Sequence, residues 1–361
     1  MRIVINTTSL LGPLSGIGVY TLNLAKEFLR QRPDITYIYF RGYFTKNLLP
    51  PHSLIRVIRE LPLRSLRSLL RNLVFHLSRS FKTFDLYFEP NFIPLKIRAK
   101  RVIVTVHDLS IFHFPEWHPK ERVEYVRKNI LRALKDSDVL VVPSKFVEKE
   151  IREIFGEDLN IVSIPNGFDP EIYFPEAEKE GSYILSVGTL EPRKNIKNLI
   201  LAYRSLPENI RKEYPLYICG AYGWGDQDLF SLISSENKSQ IRYLGYVESE
   251  RLAKLYRRAI CLVYPSFYEG FGLPPLEAMA SGCPAVVSNR SSLPEVCGDA
   301  AYYVDPYDVE SISYGIRRII EDSQLRSSLR SKGIQRARDF TWEKSARRYL
   351  ELFENLLSGD G

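Results

Sequence analysis

Short apolar segments alternate with amphipathic helical stretches along most of the sequence, and this alternation restricts the fold more than any other feature. In the first half the apolar segments are residues 2–6, 35–40, 85–89, 102–106 and 139–143. In the second half they are residues 183–188, 216–220, 241–245, the CLVYP segment from Cys261 and the PAVVS segment that ends at Ser288. Strands that alternate with helices form parallel, doubly wound sheets. The sequence therefore predicts an α/β fold.

A polar break separates the two series of strands. Residues 164–181, IPNGFDPEIYFPEAEKEG, are rich in Pro, Asn, Gly and charge, as linkers are. A chain of 361 residues with 45% apolar residues is long enough for two cores. We therefore expect one domain over residues 1–170 and a second over residues 171–341.

Composition indicates the redox environment of the protein and the charge of its binding partner. The cysteines lack the patterned spacing of disulfide frameworks and zinc sites, which favours a reducing, cytoplasmic setting. The amino terminus enters a strand without a leader, and no segment reaches the roughly 20 apolar residues that span a bilayer. The net charge is +7, and residues 56–101 carry eleven Lys or Arg against three acids. This excess predicts an anionic partner.

The loops that follow the strands are the candidate sites, because ligands of open α/β sheets bind beyond the carboxyl ends of the strands. The first loop carries Gly16 and Gly18 before an amphipathic helix, and such glycines let backbone amides approach a phosphate. Thr21 stands where a dinucleotide fold needs a third glycine, and Arg41 and Gly42 stand where it needs an acid, which argues against NAD. A tight turn without a ligand is the alternative for this loop.

Two further loops carry polar residues directly after strands. His107 and Asp108 end the strand at residues 102–106. A packing role is the alternative for the histidine. Arg193 and Lys194 stand at a strand-to-helix junction, where the arginine fork and the lysine point charge can neutralise a diphosphate. A solvated loop is the alternative for this pair.

A fourth loop, EGFGLPPLEAMASG, holds two glutamates eight positions apart. Its two prolines and its final glycine predict a short helix over residues 275–281. The backbone amides of Gly272 and Leu273 then lie at the mouth of that helix and can bind an anion. Glu269 stays in the preceding loop and Glu277 falls in the first helical turn, so the two carboxylates can serve different parts of one ligand.

These motifs together resemble a known family. EGFGLPPLEAMASGCPAVVSN, VGTLEPRKNIKNLI, IPNGFDPEIYFPE, YLGYVESERLAKLYRRA and GIGVY look like segments of the retaining nucleotide-sugar glycosyltransferases of family 4, which have the GT-B fold. HDLSIFHFPEWHPKERVEY is most similar to the mannosyltransferase branch that builds bacterial surface polysaccharides. The resemblance implies two Rossmann-like domains that face each other across a cleft, the first binding the acceptor and the second the nucleotide sugar. It also implies that a C-terminal helix at about residues 342–361 crosses back to the first domain.

The resemblance further implies a role for each candidate residue. In the first domain, Gly16 and Gly18 would approach the donor diphosphate and the acceptor, and His107 would contact the donor sugar. The diphosphate would be bound by Arg193 and Lys194, with backbone amides of Gly272 and Leu273 donated to phosphate and sugar. Glu269 would bind sugar hydroxyls, Glu277 the ribose, and the backbone around Tyr246 and Val247 the base. Glu269 and His107 are thus the candidate catalytic residues. No cofactor is implied.

The implied reaction moves a hexose, with mannose favoured, from a nucleotide sugar such as GDP-mannose to a glycan or lipid-linked acceptor with retention. Fixed cations and oriented amides would stabilise the departing nucleoside diphosphate. The sequence leaves open a glucosyl or N-acetylglucosaminyl transferase that uses a UDP-sugar, and a sugar phosphorylase or sucrose-type synthase of the same architecture. A nucleic-acid-binding protein is disfavoured by the carboxylate pair in a strand loop.

Two D-x-D motifs raise the question of a metal. Asp136-Ser137-Asp138 precedes a strand, and Asp226-Gln227-Asp228 lies near a predicted helix start. A chelating pair is expected after a strand, facing the substrate. We therefore expect no metal.

The basic excess of the first half is concentrated in residues 61–82, LPLRSLRSLLRNLVFHLSRSFK. At helical spacing, Arg64, Arg67 and Arg71 share one face and many leucines share another, a pattern typical of a helix in a membrane interface. We therefore expect an anionic membrane surface as a partner and a peripheral position on the inner face of the cell membrane. A core-packing helix with a solvated basic face is the alternative.

Overall fold

A computed structural model describes residues 1–11, 14, 16–49, 83–177, 181–223, 232–233 and 240–358. The basic stretch at residues 61–82 and the second D-x-D motif lie outside these residues.

The first half of the chain forms a seven-stranded sheet in the order β3-β2-β1-β4-β5-β6-β7. All neighbouring strands run parallel except β3, which is antiparallel to β2. Buried apolar side chains dominate the inner strands, as expected for a sheet that helices cover on both faces. The strands are β1 (Arg2–Asn6), β2 (Thr36–Phe40), β3 (Phe44–Thr45), β4 (Phe84–Glu89), β5 (Ala99–Thr105), β6 (Val139–Val142) and β7 (Ile161–Ser163).

The second half forms a six-stranded parallel sheet in the order β10-β9-β8-β11-β12-β13. Its strand order reverses direction between β8 and β11, so the loops after these two strands flank a switch point of the kind where ligands bind. The strands are β8 (Ile184–Val187), β9 (Leu216–Cys219), β10 (Ile241–Gly245), β11 (Cys261–Tyr264), β12 (Ala285–Ser288) and β13 (Ala301–Val304).

Helices connect the strands and cover both sheets. In the first half the α-helices are Gly16–Gln31, Ser110–His113, Lys120–Lys135 and Lys145–Phe155. In the second half they are Ile196–Arg204, Glu208–Glu213, Ser249–Arg258, Leu273–Ala280, Leu293–Cys297, Val309–Glu321, Ser323–Ala337 and Trp342–Ser358. Short 3-10 turns lie at Thr8–Leu11, Pro115–Trp117 and Pro192–Lys194. Among the helices of the described residues, none combines the length and apolar character needed to cross a bilayer.

The last helix packs on the first sheet rather than on the second. Its apolar face, which includes Trp342, Tyr349 and Phe353, joins the core around helix Gly16–Gln31. The segment before it is tied to the polar connection between the sheets by a bridge between Phe168 and Thr341. The chain therefore leaves the first sheet after β7 and returns to it at its end.

The loops at the carboxyl ends of the two sheets touch each other. The Ser144 hydroxyl, after β6, donates a hydrogen bond of 2.7 Å to the carbonyl of Gly270, in the loop after β11. The Tyr268 hydroxyl accepts a bond of 3.0 Å from the amide of Leu109, in the loop after β5. The cleft between the domains is thus closed on one side by the loop after β11 that holds Glu269, which we call the EGFG loop after residues 269–272.

Candidate active site

Arg193 and Lys194 lie in a 3-10 turn directly after β8. The turn ends at Asn195, whose φ of 57° is left-handed, a conformation that asparagine tolerates better than most residues. The side-chain amide of Asn195 donates bonds of 3.0 and 2.7 Å to the carbonyls of Pro265 and Pro306. The loops after β11 and β13 therefore fix the turn that carries the two cations.

Glu269, which the sequence analysis placed in a different loop from Arg193 and Lys194, contacts both of these cations. Its Oε1 accepts bonds of 2.5 Å from Lys194 Nζ and 2.7 Å from the Tyr264 hydroxyl, and its Oε2 accepts one of 3.0 Å from Arg193 Nη1. Only 5% of Glu269 is exposed. Both carboxylate oxygens are thus engaged by protein donors, and the carboxylate aligns the two cations.

Burial and neighbouring charges oppose each other in this cluster. Burial raises the pKa of Glu269, but the opposite effect of the charges on Lys194 and Arg193 is larger. The pKa of Glu269 therefore lies below its ordinary value. Burial lowers the pKa of Lys194, and Arg193 adds to this effect. Burial also lowers the pKa of Arg193, but Glu269, Glu191 and Asp108 more than offset it and hold the pKa well above the ordinary value. Glu269 and Arg193 are therefore charged at neutral pH.

The loop that carries Glu269 is held by its backbone. The Glu269 amide donates a bond of 2.9 Å to the hydroxyl of Ser291. At Gly270 a Cβ atom would lie 1.8 Å from the carbonyl oxygen of His107, so this close approach requires glycine. The contact brings the loop after β5 against the loop after β11.

His107 is half-buried at the end of β5. Its Nε2 lies 2.8 Å from the carbonyl of Pro90, and because a carbonyl only accepts, this nitrogen carries the proton. Burial lowers the pKa of the imidazole, which favours the neutral form. The edge of the Tyr20 ring packs against it at a centroid distance of 4.8 Å. His107 is therefore fixed in one orientation next to the Glu269 loop.

Helix Leu273–Ala280 begins two residues before the predicted start at residue 275, so Glu277 lies in the second turn rather than in the first. Gly272, the residue that precedes the helix, adopts a left-handed φ of 105°, and the proline pattern alone did not reveal this start. Glu277 Oε2 accepts a bond of 3.2 Å from the Tyr256 hydroxyl. Burial raises the pKa of Glu277 to about 7, against the opposing effect of hydrogen bonds from Tyr256 and Tyr173.

The structure places the other candidates around this centre without joining all of them to it. Gly16 and Gly18 lie inside the first turn of helix Gly16–Gln31, not before it. A Cβ at Gly18 would meet Ser9 O at 3.3 Å, whereas Gly16 is open. Tyr246 and Val247 follow β10, and no hydrogen bond within the described residues links them to Arg193 or Lys194.

The sequence interpretation missed several residues of this region. Tyr264 ends β11 and bonds Glu269, and its hydroxyl at the carboxyl end of a buried strand was the available signal. Glu191 accepts a bond of 2.6 Å from Arg193 Nε. A cavity beside Arg193 has polar lining from both halves of the chain, namely Asp108, Ser110, His118, Arg122, Glu191 and Arg193. In the described part of the chain, no group of three or more His, Cys, Asp or Glu could hold a metal ion.

Two family models match the chain. The model described as "Glycosyltransferase Family 4" matches residues 14–172, and the model described as "Glycosyl transferases group 1" matches residues 169–336. The O-antigen chain mannosyltransferase B of Escherichia coli is 36% identical over 383 residues, which cover 99% of this chain and 100% of that protein. This match reaches from one end of the chain to the other.

Solved structures share the fold at low sequence identity. A sucrose-phosphate synthase from Thermosynechococcus elongatus superposes with a TM-score of 0.76 at 19% identity, covering 99% of this chain and 100% of that one. The HepE protein of Anabaena, in complex with UDP-glucose, superposes with a TM-score of 0.75 at 18% identity, covering 98% and 100%. These likenesses and the two facing sheets confirm the predicted GT-B fold. The chain therefore belongs to the family 4 glycosyltransferases and is a retaining, metal-independent hexosyltransferase.

Proposed function

We propose that the protein transfers a mannosyl residue from a nucleotide sugar, with GDP-mannose the favoured donor, to a glycan or lipid-linked acceptor during synthesis of a bacterial surface polysaccharide. The observation that carries this proposal is the end-to-end match to an O-antigen chain mannosyltransferase. The HDLSIFHFPEWHPKERVEY segment supports the same branch of the family.

In the proposed site, Arg193 and Lys194 bind the donor diphosphate. Their turn follows β8 at the switch point of the second sheet, and Glu269 holds them side by side. Gly272 and Leu273 supply backbone amides at the start of helix Leu273–Ala280, where the helix dipole favours an anion.

The remaining candidates are assigned to the other parts of the donor. Glu277 binds the ribose, the backbone at Tyr246 and Val247 holds the base, His107 and Glu269 lie at the transferred sugar, and Gly16 and Gly18 face the diphosphate and the acceptor. The half-buried Glu277, with a pKa near 7, suits hydrogen bonding to neutral hydroxyls rather than to a phosphate.

The proposed reaction proceeds on one face of the sugar. The bond between the anomeric carbon and the diphosphate oxygen breaks, the acceptor oxygen forms a bond to the same carbon from the same side, and the acceptor proton passes to the leaving phosphate. Negative charge develops on that phosphate, where Arg193 and Lys194 are already fixed and need no reorganisation.

The proposed donor can be tested against its alternative, a UDP-sugar. HepE was solved with UDP-glucose, but at 18% identity it shares only the fold with this chain. We expect GDP to raise the melting temperature more than UDP or inorganic phosphate does, and GDP-mannose to be consumed faster than UDP-glucose or UDP-N-acetylglucosamine. Faster consumption of a UDP-sugar would contradict the proposed donor and support a glucosyl or N-acetylglucosaminyl transferase instead. Stabilisation by inorganic phosphate alone would favour a phosphorylase.

We also propose peripheral attachment to the inner face of the cell membrane through the basic residues 61–82. Five basic side chains without an acid could each contribute about 1 kcal/mol near an anionic surface. Cosedimentation with anionic vesicles should weaken with salt and in the triple variant Arg64→Glu, Arg67→Glu, Arg71→Glu. Binding that ignores lipid charge would refute this attachment.

A further inference from the structure

Asp108 lines the cavity beside Arg193, and one of its two carboxylate oxygens accepts hydrogen bonds from Ser110. Its Oδ1 accepts bonds of 2.9 Å from the Ser110 amide and 2.6 Å from the Ser110 hydroxyl. Within the part of the chain that the structure describes, its Oδ2 makes no hydrogen bond. The side chain is therefore held by one oxygen, and the other is available to accept a hydrogen bond.

Glu191 faces the same cavity from the second domain in the same manner. Only 5% of the residue is exposed, and its Oε1 accepts the 2.6 Å bond from Arg193 Nε. Among the described residues no donor reaches its Oε2. Because this oxygen is not among the fully buried side-chain atoms that lack a partner in the described residues, it is open to the cavity and can accept a hydrogen bond from a ligand.

The wall around Asp108 is fixed by a short chain of hydrogen bonds. The Ser110 hydroxyl gives its proton to Asp108, so His118 Nε2, at 3.0 Å, donates to the same hydroxyl. Burial, with a further contribution from Arg122, lowers the pKa of His118 and favours the neutral imidazole with one proton. The cavity thus offers a preorganised acceptor on one wall.

The chemistry of the two open oxygens selects a neutral ligand with several hydroxyl groups. Carboxylate oxygens only accept hydrogen bonds, and because Arg122 and Arg193 line the same cavity, the lining has no excess of either charge. Apolar surface from Phe92, Ile111 and Val126 completes the lining and suits the C–H faces of a sugar ring. A hexose presents both kinds of surface.

We infer that Asp108 and Glu191 together bind hydroxyl groups of one hexose, and that this hexose is the sugar of the acceptor. The inference rests on the proposed function and adds a specificity-determining pair to it. Most of the polar lining, including Ser110 and His118, belongs to the first domain, whereas the donor cations belong to the second. Arg193 lines the cavity too, so a hexose bound there lies next to the proposed diphosphate site.

The test uses Asp108→Asn and Glu191→Gln in the full-length protein. Each variant keeps the oxygen that binds Ser110 or Arg193 and replaces the open oxygen by an amide donor. We expect the acceptor KM to rise about 10- to 100-fold, since hydrogen bonds to charged groups are lost. Both carboxylates also interact with Arg193, so GDP binding and the KM of GDP-mannose in its hydrolysis without acceptor are measured in the same variants, and both should change less than the acceptor KM does.

Direct binding of methyl α-mannoside in the presence of GDP, followed by saturation-transfer NMR, provides a readout independent of turnover. It should weaken in both variants and stay unchanged in the exposed controls Asp136→Asn and Glu153→Gln. The two variants lie in different domains, so a folding failure of one leaves the other as the test.

Three results would overturn parts of the proposal in distinguishable ways. A rise in the KM of GDP-mannose with an unchanged acceptor KM would assign the hexose to the donor. Unchanged kinetics and sugar binding in both variants would remove the subsite altogether. Absence of any effect of GDP on the wild-type protein would instead contradict the proposed donor, while methyl α-mannoside binding would still report on the cavity.

Discussion

The two cations beside Glu269 are held in place before any ligand arrives. Lys194 Nζ and Arg193 Nη1 both bond the buried carboxylate, which compensates the cost of burying two positive charges. Lys194→Ala should therefore weaken GDP binding about 10- to 100-fold, because a charge-assisted contact to phosphate is lost. Isothermal titration calorimetry measures this change.

Glu269→Ala should affect turnover more than affinity for the nucleotide. The cations remain, but their alignment and the contact with the sugar are lost. Calorimetry with GDP and steady-state rates with GDP-mannose separate the two effects, and Glu277→Ala is the matched comparison at the ribose. Equal losses of GDP affinity in the two glutamate variants would contradict the assignment.

Glu89 at the end of β4 predicts a pH dependence of stability. Burial raises its pKa to about 7, although Tyr87 and Asn6 donate hydrogen bonds to its Oε2. An acid whose folded-state pKa is raised keeps its proton in the native state longer than in the unfolded state. Its contribution to stability is thus complete below the unfolded pKa of about 4.5 and is lost as pH rises towards 7.

Glu89→Gln should remove this contribution to the pH dependence. The free energy of unfolding of the variant minus that of wild type should be roughly 3 kcal/mol more positive at pH 8 than at pH 4.5. This is the free energy that corresponds to the change in the pKa of Glu89. Urea unfolding at both pH values measures the difference. A difference between variant and wild type that is independent of pH would show that Glu89 is ionised in the folded protein at neutral pH. Glu277 titrates in the same range and remains in both proteins, so its contribution cancels.

At the scale of single elements, the EGFG loop depends on one glycine. A Cβ at Gly270 would lie 1.8 Å from His107 O and 3.0 Å from Asp108 Cβ, so the loop must move away from β5. Gly270→Ala should therefore lower the melting temperature and reduce turnover at least about tenfold, because Glu269 moves with the loop. Gly16→Ala is the stability control, since nothing lies within 4 Å of a Cβ there. Similar melting temperatures for the two variants would contradict the close approach.

Most elements could be predicted because their apolar patterns are long enough to show a period. The strands missed were β3 and β7, with two and three residues, and β13, whose Tyr302 and Tyr303 are only partly buried. The helix after Gly272 was placed two residues late because its start depends on a left-handed backbone rather than on the prolines. Boundaries set by backbone conformation leave little trace in side-chain pattern.

At the scale of the whole molecule, the sequence analysis named the loops of the candidate site but not the contacts that join them. Residues far apart in sequence make these contacts: Tyr268 donates a bond of 2.5 Å to Glu150, 118 positions away. Asp108 and Glu191 meet at the cavity only because the two sheets face each other. A tyrosine or a glutamate in a loop carries no local signal for such a partner, whereas a glycine pair or an Arg-Lys pair after a strand does.

The contact between the domains also includes a helix cap supplied from the other domain. Glu295 accepts bonds of 2.8 Å from the amide of Lys145 and 3.0 Å from the amide of Phe146, at the start of helix Lys145–Phe155. A carboxylate at a helix amino terminus satisfies unpaired amides and interacts favourably with the helix dipole. This contact therefore stabilises the closed arrangement of the cleft.

Glu295→Ala should favour the open arrangement, because the cap is worth about 1–2 kcal/mol only while the domains touch. Small-angle X-ray scattering without ligand should give a larger radius of gyration for the variant than for wild type. GDP should then reduce that radius more in the variant, since part of its binding free energy is used to close the cleft. For the same reason its GDP affinity should fall severalfold although Glu295 lies outside the proposed donor site. Glu153→Ala, on the exposed side of the same helix, is the matched control. Equal radii for the two variants with and without GDP would show that the cap does not govern closure.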